Sequence, residues 1–246
     1  MRTLTAFKSL GLIDVKSVRR DSMLLWILVL TPGFALLFRF IIPEVAGELQ
    51  ARFEFDLVPF YPLIMSFLAL IAAGMIGTVI GFLLLDQRDD ETMTALLVTP
   101  LSLGDYLLYR LATPMVLCVV LTVFMFPLAG LTETSPLQII ATAICAAPLA
   151  PMYALFIGSF ANNKVQGFAL AKALGIVMVP VIISYFIDQP WQTIFGLIPH
   201  YWSLKVFWLF HDGATGSAML HLVVGLAYQA LLLLVLARHF GRIVKR

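Results

Sequence analysis

Apolar residues run along this chain in six blocks separated by polar breaks, at about residues 23–42, 58–85, 106–128, 136–160, 168–187 and 218–237. A helix needs about 20 apolar residues to cross the ~30 Å hydrocarbon core of a bilayer, so each block predicts a transmembrane helix. The second block is overlong, ~42 Å at about 1.5 Å per residue. That helix is either tilted or projects its last turns toward Asp86. Pro32, Pro148, Pro151 and Pro180 predict kinks or breaks within their spans.

Two further segments carry their own pattern. In residues 1–22, Leu4, Phe7, Gly11, Val15 and Val18 share one helical face, while Lys8, Lys16, Arg19 and Arg20 lie on another. This predicts an amphipathic helix along the membrane surface, with Asp14 interrupting its apolar side. A cleaved signal would have a shorter basic region followed by a small-residue cleavage site. The segment 188–217 holds apolar pieces too short to span, with Trp191, Tyr201, Trp202 and Trp208 among them. Trp and Tyr favour the membrane interface, so short re-entrant or interfacial helices are predicted between spans five and six.

Composition fixes the class. Hydrophobic residues make up 61% and charged residues 12% of the 246, whereas soluble domains are about half apolar and about a quarter charged. The expected fold is a single all-α membrane domain covering residues 1–246. Of the 16 Lys and Arg residues, all but Arg39, Arg52 and Lys205 fall on the N-terminal segment, on the even-numbered breaks or just inside the spans that follow them (Arg110, Lys172), or on the C-terminal tail. Positive charge gathers on the cytoplasmic side, so both termini are expected there. Cys118 and Cys145 lie in apolar runs, without metal-ligand spacing or a disulfide framework.

The break at 86–105 is the most informative. It reads Asp86-Gln87-Arg88-Asp89-Asp90-Glu91-Thr92-Met93, then Ala95-Leu96-Leu97-Val98-Thr99-Pro100-Leu101-Ser102. Asp89 or Asp90 can cap a helix, where a carboxylate also favours the dipole. Met93, Leu96 and Leu97 form a narrow apolar stripe, and Pro100 ends the helix by disfavouring it at Thr99. Spacing alone leaves two readings open: a short helix offered to a partner, or a solvated loop whose leucines sink into the interface. No G-x-x-x-x-G-K-[ST] phosphate loop occurs in the chain, so an ATPase driving transport would be another polypeptide.

This segment resembles the signature after the second span of ABC-2-type exporter permeases, with Glu91, Met93 and Thr94 where that family usually has Gly, Leu and Glu. Arg19-Arg20-Asp21-Ser22 is similar to the family's Arg-Asp-Pro approach to the first span. Ile198-Pro199-His200-Tyr201-Trp202-Ser203-Leu204-Lys205 resembles its segment between spans five and six. The resemblance implies a permease subunit of an ATP-driven exporter in the inner membrane, paired with a second permease, as a homodimer, and two cytoplasmic ABC ATPase subunits. ATP and Mg would bind on those ATPase subunits, not on this chain, and no nucleic acid is involved. The coupling contacts would be Asp86, Arg88, Asp90, Glu91, Met93, Leu96, Leu97, Pro100 and Ser102. Residues 1–22 would form the connecting helix, with Phe7, Lys8, Arg19 and Arg20.

Other candidates follow from residue type. Ala73, Gly77 and Gly81 recur every four positions, a small-residue face for close helix approach, either within one subunit or across a dimer. Arg39 is a charge inside a span. Near the outer end it can snorkel or meet substrate, and Glu44 can reach it only if the helix runs past Pro43. Tyr201 and Trp202 are candidates for a substrate path. The cargo is expected to be amphipathic or apolar, a drug or lipid-like compound, with spans two and five lining its path, since no span holds the paired carboxylates of a proton-coupled pump. An ion-coupled carrier or a non-transporting anchor for an ATPase is the alternative. His200, His211, His221 and His239 are too scattered to suggest an enzyme.

Overall fold

The computed structural model describes residues 2–89 and 103–244, with side chains from residue 10 onward except at 89, 103 and 244. Six of its helical segments are long and apolar enough to cross a membrane. Helix α1 (Arg2–Arg20) precedes α2 (Ser22–Phe53), α3 (Tyr61–Asp89) and α4 (Leu103–Ala129). The fourth span is α5 (Pro136–Ala146) followed by α6 (Leu149–Phe160). The fifth is α7 (Lys164–Ile176) followed by α8 (Met178–Ser184). After a 3₁₀ turn at Trp191–Leu197 come α9 (Pro199–His211) and α10 (Thr215–Val244).

Local chemistry explains most of these boundaries. Asp21 caps α2, its carboxylate accepting from the Met23 and Leu24 amides at 2.9 and 3.3 Å. Ser135 and Asn163 cap α5 and α7 in the same way, each satisfying a helix-start amide that has no intrahelical partner. The fourth span breaks at Ala147 and Pro148, whereas Pro151 sits in the first turn of α6, where a missing N–H costs little. The fifth breaks at Val177, because Pro180 cannot donate to the Ile176 carbonyl four residues back.

The expected boundaries shift most at the first span. The first span does not stop at residue 42 but continues through Pro43 to Phe53. Pro43 removes a single backbone hydrogen bond, and the residues after it are mostly good helix formers. A Glu48–Arg52 pair at 2.7 Å, one turn apart, adds to them. The helix ends at Glu54, which adopts the left-handed conformation (φ 54°) and bonds back to the Leu49 carbonyl.

The core is organised around α3, whose buried face includes Met65, Leu68, Ala72, Phe82 and Leu83. Its closest neighbour is α6, with α4 and α9 also packed on it. Gly77 and Gly81 make the α6 contact possible. A Cβ on Gly77 would stand 2.5 Å from the Ala150 carbonyl oxygen and nearer still to Tyr153 Cβ, and one on Gly81 would stand 2.9 Å from Ile157 Cβ. With Ala73 fully buried as well, the small-residue face is occupied within one chain. By contrast α2, α7 and α10 carry exposed apolar side chains such as Trp26, Val29, Phe168, Ile176, Leu220 and Leu231, as a lipid-facing surface requires.

The segment between spans five and six folds back into the bundle. Helix α9 buries His200, Tyr201, Ser203, Leu204, Phe207 and Trp208 against α3, α5 and α10. Trp208 Nε1 donates to Ser66 Oγ at 3.1 Å, and Gln138 Nε2 donates to the Phe207 carbonyl at 3.1 Å. The short helices expected between spans five and six are therefore present as the 3₁₀ turn and α9.

Candidate coupling face and its buried charge network

The two flanks of the 90–102 segment, the last turns of α3 and the first turns of α4, lie at the same end of the bundle as α1. Asp14, which interrupts the apolar side of α1, is 7% exposed there, and Arg110 of α4 is 1% exposed. The guanidinium grips the carboxylate with both arms, Nη1 to Oδ2 at 2.8 Å and Nη2 to Oδ1 at 3.1 Å. The Tyr109 hydroxyl donates to Asp14 Oδ2 at 2.7 Å. On its other side Arg110 Nε donates to the Tyr106 hydroxyl at 3.3 Å, which donates to Gln87 Oε1 at 2.9 Å. The guanidinium also lies 5.4 and 5.2 Å from the centres of the Tyr106 and Tyr109 rings, within cation–π range.

Two charges this deeply buried persist only when paired and hydrogen-bonded. Forked Arg–carboxylate geometry is directional as well as strong. The network therefore fixes α1 against the start of α4 and, through Gln87, against the end of α3. Helices α3 and α4 flank the 90–102 segment in the chain, and short, oriented bonds tie α1 to both.

A second junction sits beside the first. Lys164, at the start of α7, pairs with Asp21 at 2.7 Å and with Asp86 at 3.0 Å. The Lys164 hydrogen bond, with the Leu24 and Met23 amides, holds the Asp21 carboxyl below its ordinary range despite partial desolvation. Arg88 Nη2 donates to the Ala161 carbonyl at 2.7 Å and Nη1 to the Gly158 carbonyl at 3.5 Å, a basic cap on the C-terminal end of α6. The Lys164 pairs are partly exposed, so each contributes little to stability. Lys164→Ala is expected to cost at most about 1 kcal/mol in thermal unfolding of the detergent-solubilised protein. A larger loss would show that this junction holds the fold and does not merely join its segments.

The remaining candidate residues are distributed unevenly. Asp86 and Arg88 turn toward their own subunit. Asp90, Glu91, Met93, Leu96, Leu97, Pro100 and Ser102 lie outside the described residues. Phe7 and Lys8 belong to the helical backbone of α1, with side chains outside the described set, while Arg19 and Arg20 are exposed on its last turn. Arg39 does not pair with Glu44 although the helix continues past Pro43. It crosses to α4 and donates to the Leu128 carbonyl at 3.2 Å, close to Gly130. Tyr201 is fully buried in the core. Trp202 is half-buried, with Nε1 donating to the Gly196 carbonyl at 2.9 Å and its ring over Gly225. Both aromatics are thus engaged in packing.

The sequence carries a partial signal for the network. An acid on the apolar side of a helix needs a buried partner, and Arg110 lies within the third span, four residues after Tyr106 on the same helix face. Neither position says which of the two belongs with the other.

Comparison with known proteins matches this architecture to one family. A family described as "Fluoroquinolones export permease protein Rv2686c-like" matches residues 14–237. The chain is 36% identical to the fluoroquinolones export permease protein MT2760 of Mycobacterium tuberculosis (strain CDC 1551 / Oshkosh), over 97% of this chain and 94% of that protein. It is equally similar, over the same shares, to the fluoroquinolones export permease protein Rv2686c of Mycobacterium tuberculosis (strain ATCC 25618 / H37Rv). No solved structure matches the chain. With six spans in order and a match running from Asp14 of the buried pair to the last span, the chain belongs to the Rv2686c-like fluoroquinolone export permease family of ABC-2-type permeases.

Proposed function

We propose that this chain is the permease subunit of an ATP-driven exporter. It would move amphipathic drugs, fluoroquinolones among them, out of the cytoplasm. The observation that carries this reading is similarity to fluoroquinolone export permeases along 97% of the chain. The basic end of the bundle, with α1 and the 86–105 loop, faces the cytoplasm, as the distribution of Lys and Arg supports. The permease sits in the inner membrane as a homodimer on two copies of a separate ABC ATPase, which bind and hydrolyse ATP with Mg. The 90–102 segment is the coupling element, and the Asp14–Arg110–Tyr106–Gln87 network passes its displacement to α1, α3 and α4. A nucleotide-driven clamp biases such a two-state element only through its differential grip on the two states.

The test is ATP-dependent norfloxacin uptake into inverted vesicles that carry the permease and its ATPase, alongside co-purification of the two. Leu96→Asp with Leu97→Asp puts charge on the apolar stripe. Uptake should fall to background, and the ATPase should no longer co-purify from detergent. If transport and ATPase capture both survive that change, the coupling assignment is wrong. If ATP drives no uptake by the unaltered complex, the export reading itself fails.

A further inference from the structure

A cavity of about 730 Å³ opens between α1, α2, α3 and α4, beside the buried network. Its walls are apolar: Leu28 and Pro32 of α2, Ile80 and Leu83 of α3, and Leu117 and Leu121 of α4. Ile80 and Leu83 form a buried back wall, while Leu25, Leu117 and Val120 are exposed at the mouth. The cavity therefore opens sideways, where lipid would lie, in the half of the bundle next to α1. Helix α1 supplies the floor with Asp14, Val15 and Arg19.

The charges of the floor select the ligand. Asp14 is neutralised by the two arms of Arg110 and accepts a hydrogen bond from the Tyr109 hydroxyl, so its negative charge is not offered to the cavity. Arg19 is exposed and makes no ion pair among the described residues. Lys16 and Arg20 stand nearby on the same helix. The cavity therefore joins an apolar interior to a cationic lip at the membrane surface. A volume of this order suits a drug-sized molecule, and guanidinium is well matched to a carboxylate.

We propose that this cavity is the site where the exported compound first binds, reached sideways from the cytoplasmic leaflet. Its ligand is an amphiphile with an apolar ring system and a carboxylate, the rings among α2, α3 and α4 and the carboxylate on Arg19. This rests on the export reading above. The floor is the same helix that the Asp14–Arg110 pair ties to α4, so movement of α1 alters the site directly.

The experiment measures ATP-dependent norfloxacin uptake against concentration, with the full permease–ATPase complex in inverted vesicles. Arg19→Gln removes the cation from an exposed position, and Leu117→Trp narrows the mouth. Leu220→Trp, on the exposed face of α10, is the control. Arg19→Gln should raise the half-saturating concentration about tenfold, the worth of one charge-assisted contact, Leu117→Trp should raise it by narrowing the mouth, and the control should leave it unchanged. Cavity variants that match the wild type in half-saturation overturn the site while leaving the export reading intact. Wild-type complex that moves no norfloxacin removes the export reading instead. A binding arm separates drug from lipid, using norfloxacin fluorescence on the delipidated full chain with phosphatidylglycerol as competitor. Drug binding weakened in both variants supports the site. Phosphatidylglycerol binding lost in both while drug binding persists overturns it, and makes the cavity a lipid seat.

Discussion

Arg110→Met alone is expected to destabilise the folded permease by about 3–5 kcal/mol, because it leaves the Asp14 carboxylate buried without a counter-charge. Asp14→Leu should cost a similar amount, stranding a guanidinium that is 1% exposed. The double variant Asp14→Leu with Arg110→Met should recover much of either loss, since an apolar pair of similar size carries no desolvation penalty. Arg110→Lys should fall between, keeping the charge but losing the two-armed grip and the Nε bond to Tyr106. A double-mutant cycle on unfolding of the detergent-solubilised chain reads all four. Additive losses would mean that the two groups do not interact in solution. The cycle also separates stability from transmission. If the pair only holds the fold, the double variant should transport. If it passes movement from α1 to α4, the double variant should fold and still lose ATP-driven uptake.

Gly77→Val is expected to prevent α3 and α6 from packing, and so to cause the largest loss among the glycine positions. Even Gly77→Ala would place a carbon 2.5 Å from the Ala150 carbonyl oxygen, a backbone atom that moves only with the helix. Overpacking of this kind costs about 1–3 kcal/mol where the surroundings can give, and here both obstacles, Tyr153 Cβ and the Ala150 carbonyl, are fixed to the backbone of α6. Gly81→Ala should be milder, because its nearest obstacle is Ile157 Cβ at 2.9 Å. Gly74→Ala should be tolerated, with the Tyr153 ring and hydroxyl no nearer than 3.7 Å. The order Gly77 above Gly81 above Gly74 can be read from the yield of monodisperse protein and its melting temperature. A reversed order would show that α3 and α6 meet in a different register.

These two predictions concern contacts that the sequence displayed only in part. The small-residue spacing of Ala73, Gly77 and Gly81 announced a close helix approach but left the partner open between α6 and a second subunit. Asp14 was visible as a charge out of place on the first helix, whereas Arg110 counted only as one of the basic residues at the cytoplasmic end of the third span. Their pairing spans 96 positions and depends on how α1 lies across α4. Arg39 shows the same limit, since its nearest acid along the helix, Glu44, is not its partner and the Leu128 carbonyl of another span is. Helix breaks were easier to anticipate at Pro148 and Pro180, because the missing N–H acts within four residues. Pro43 went the other way, as the helix-forming residues beyond it outweighed one lost bond.

By itself the sequence determined the class, the six spans and the amphipathic first helix. It also placed the loop that separates spans two and three. Each of these follows from the run length and period of apolar residues against a bilayer of fixed thickness, which is a local comparison. Tertiary structure alone decided which charge neutralises which, which face of α3 is spent on α6, and that an apolar cavity with a cationic lip opens beside α1. Those outcomes depend on the relative placement of helices far apart in the chain, where an ångström decides whether a guanidinium meets a carboxylate or a glycine meets a carbonyl.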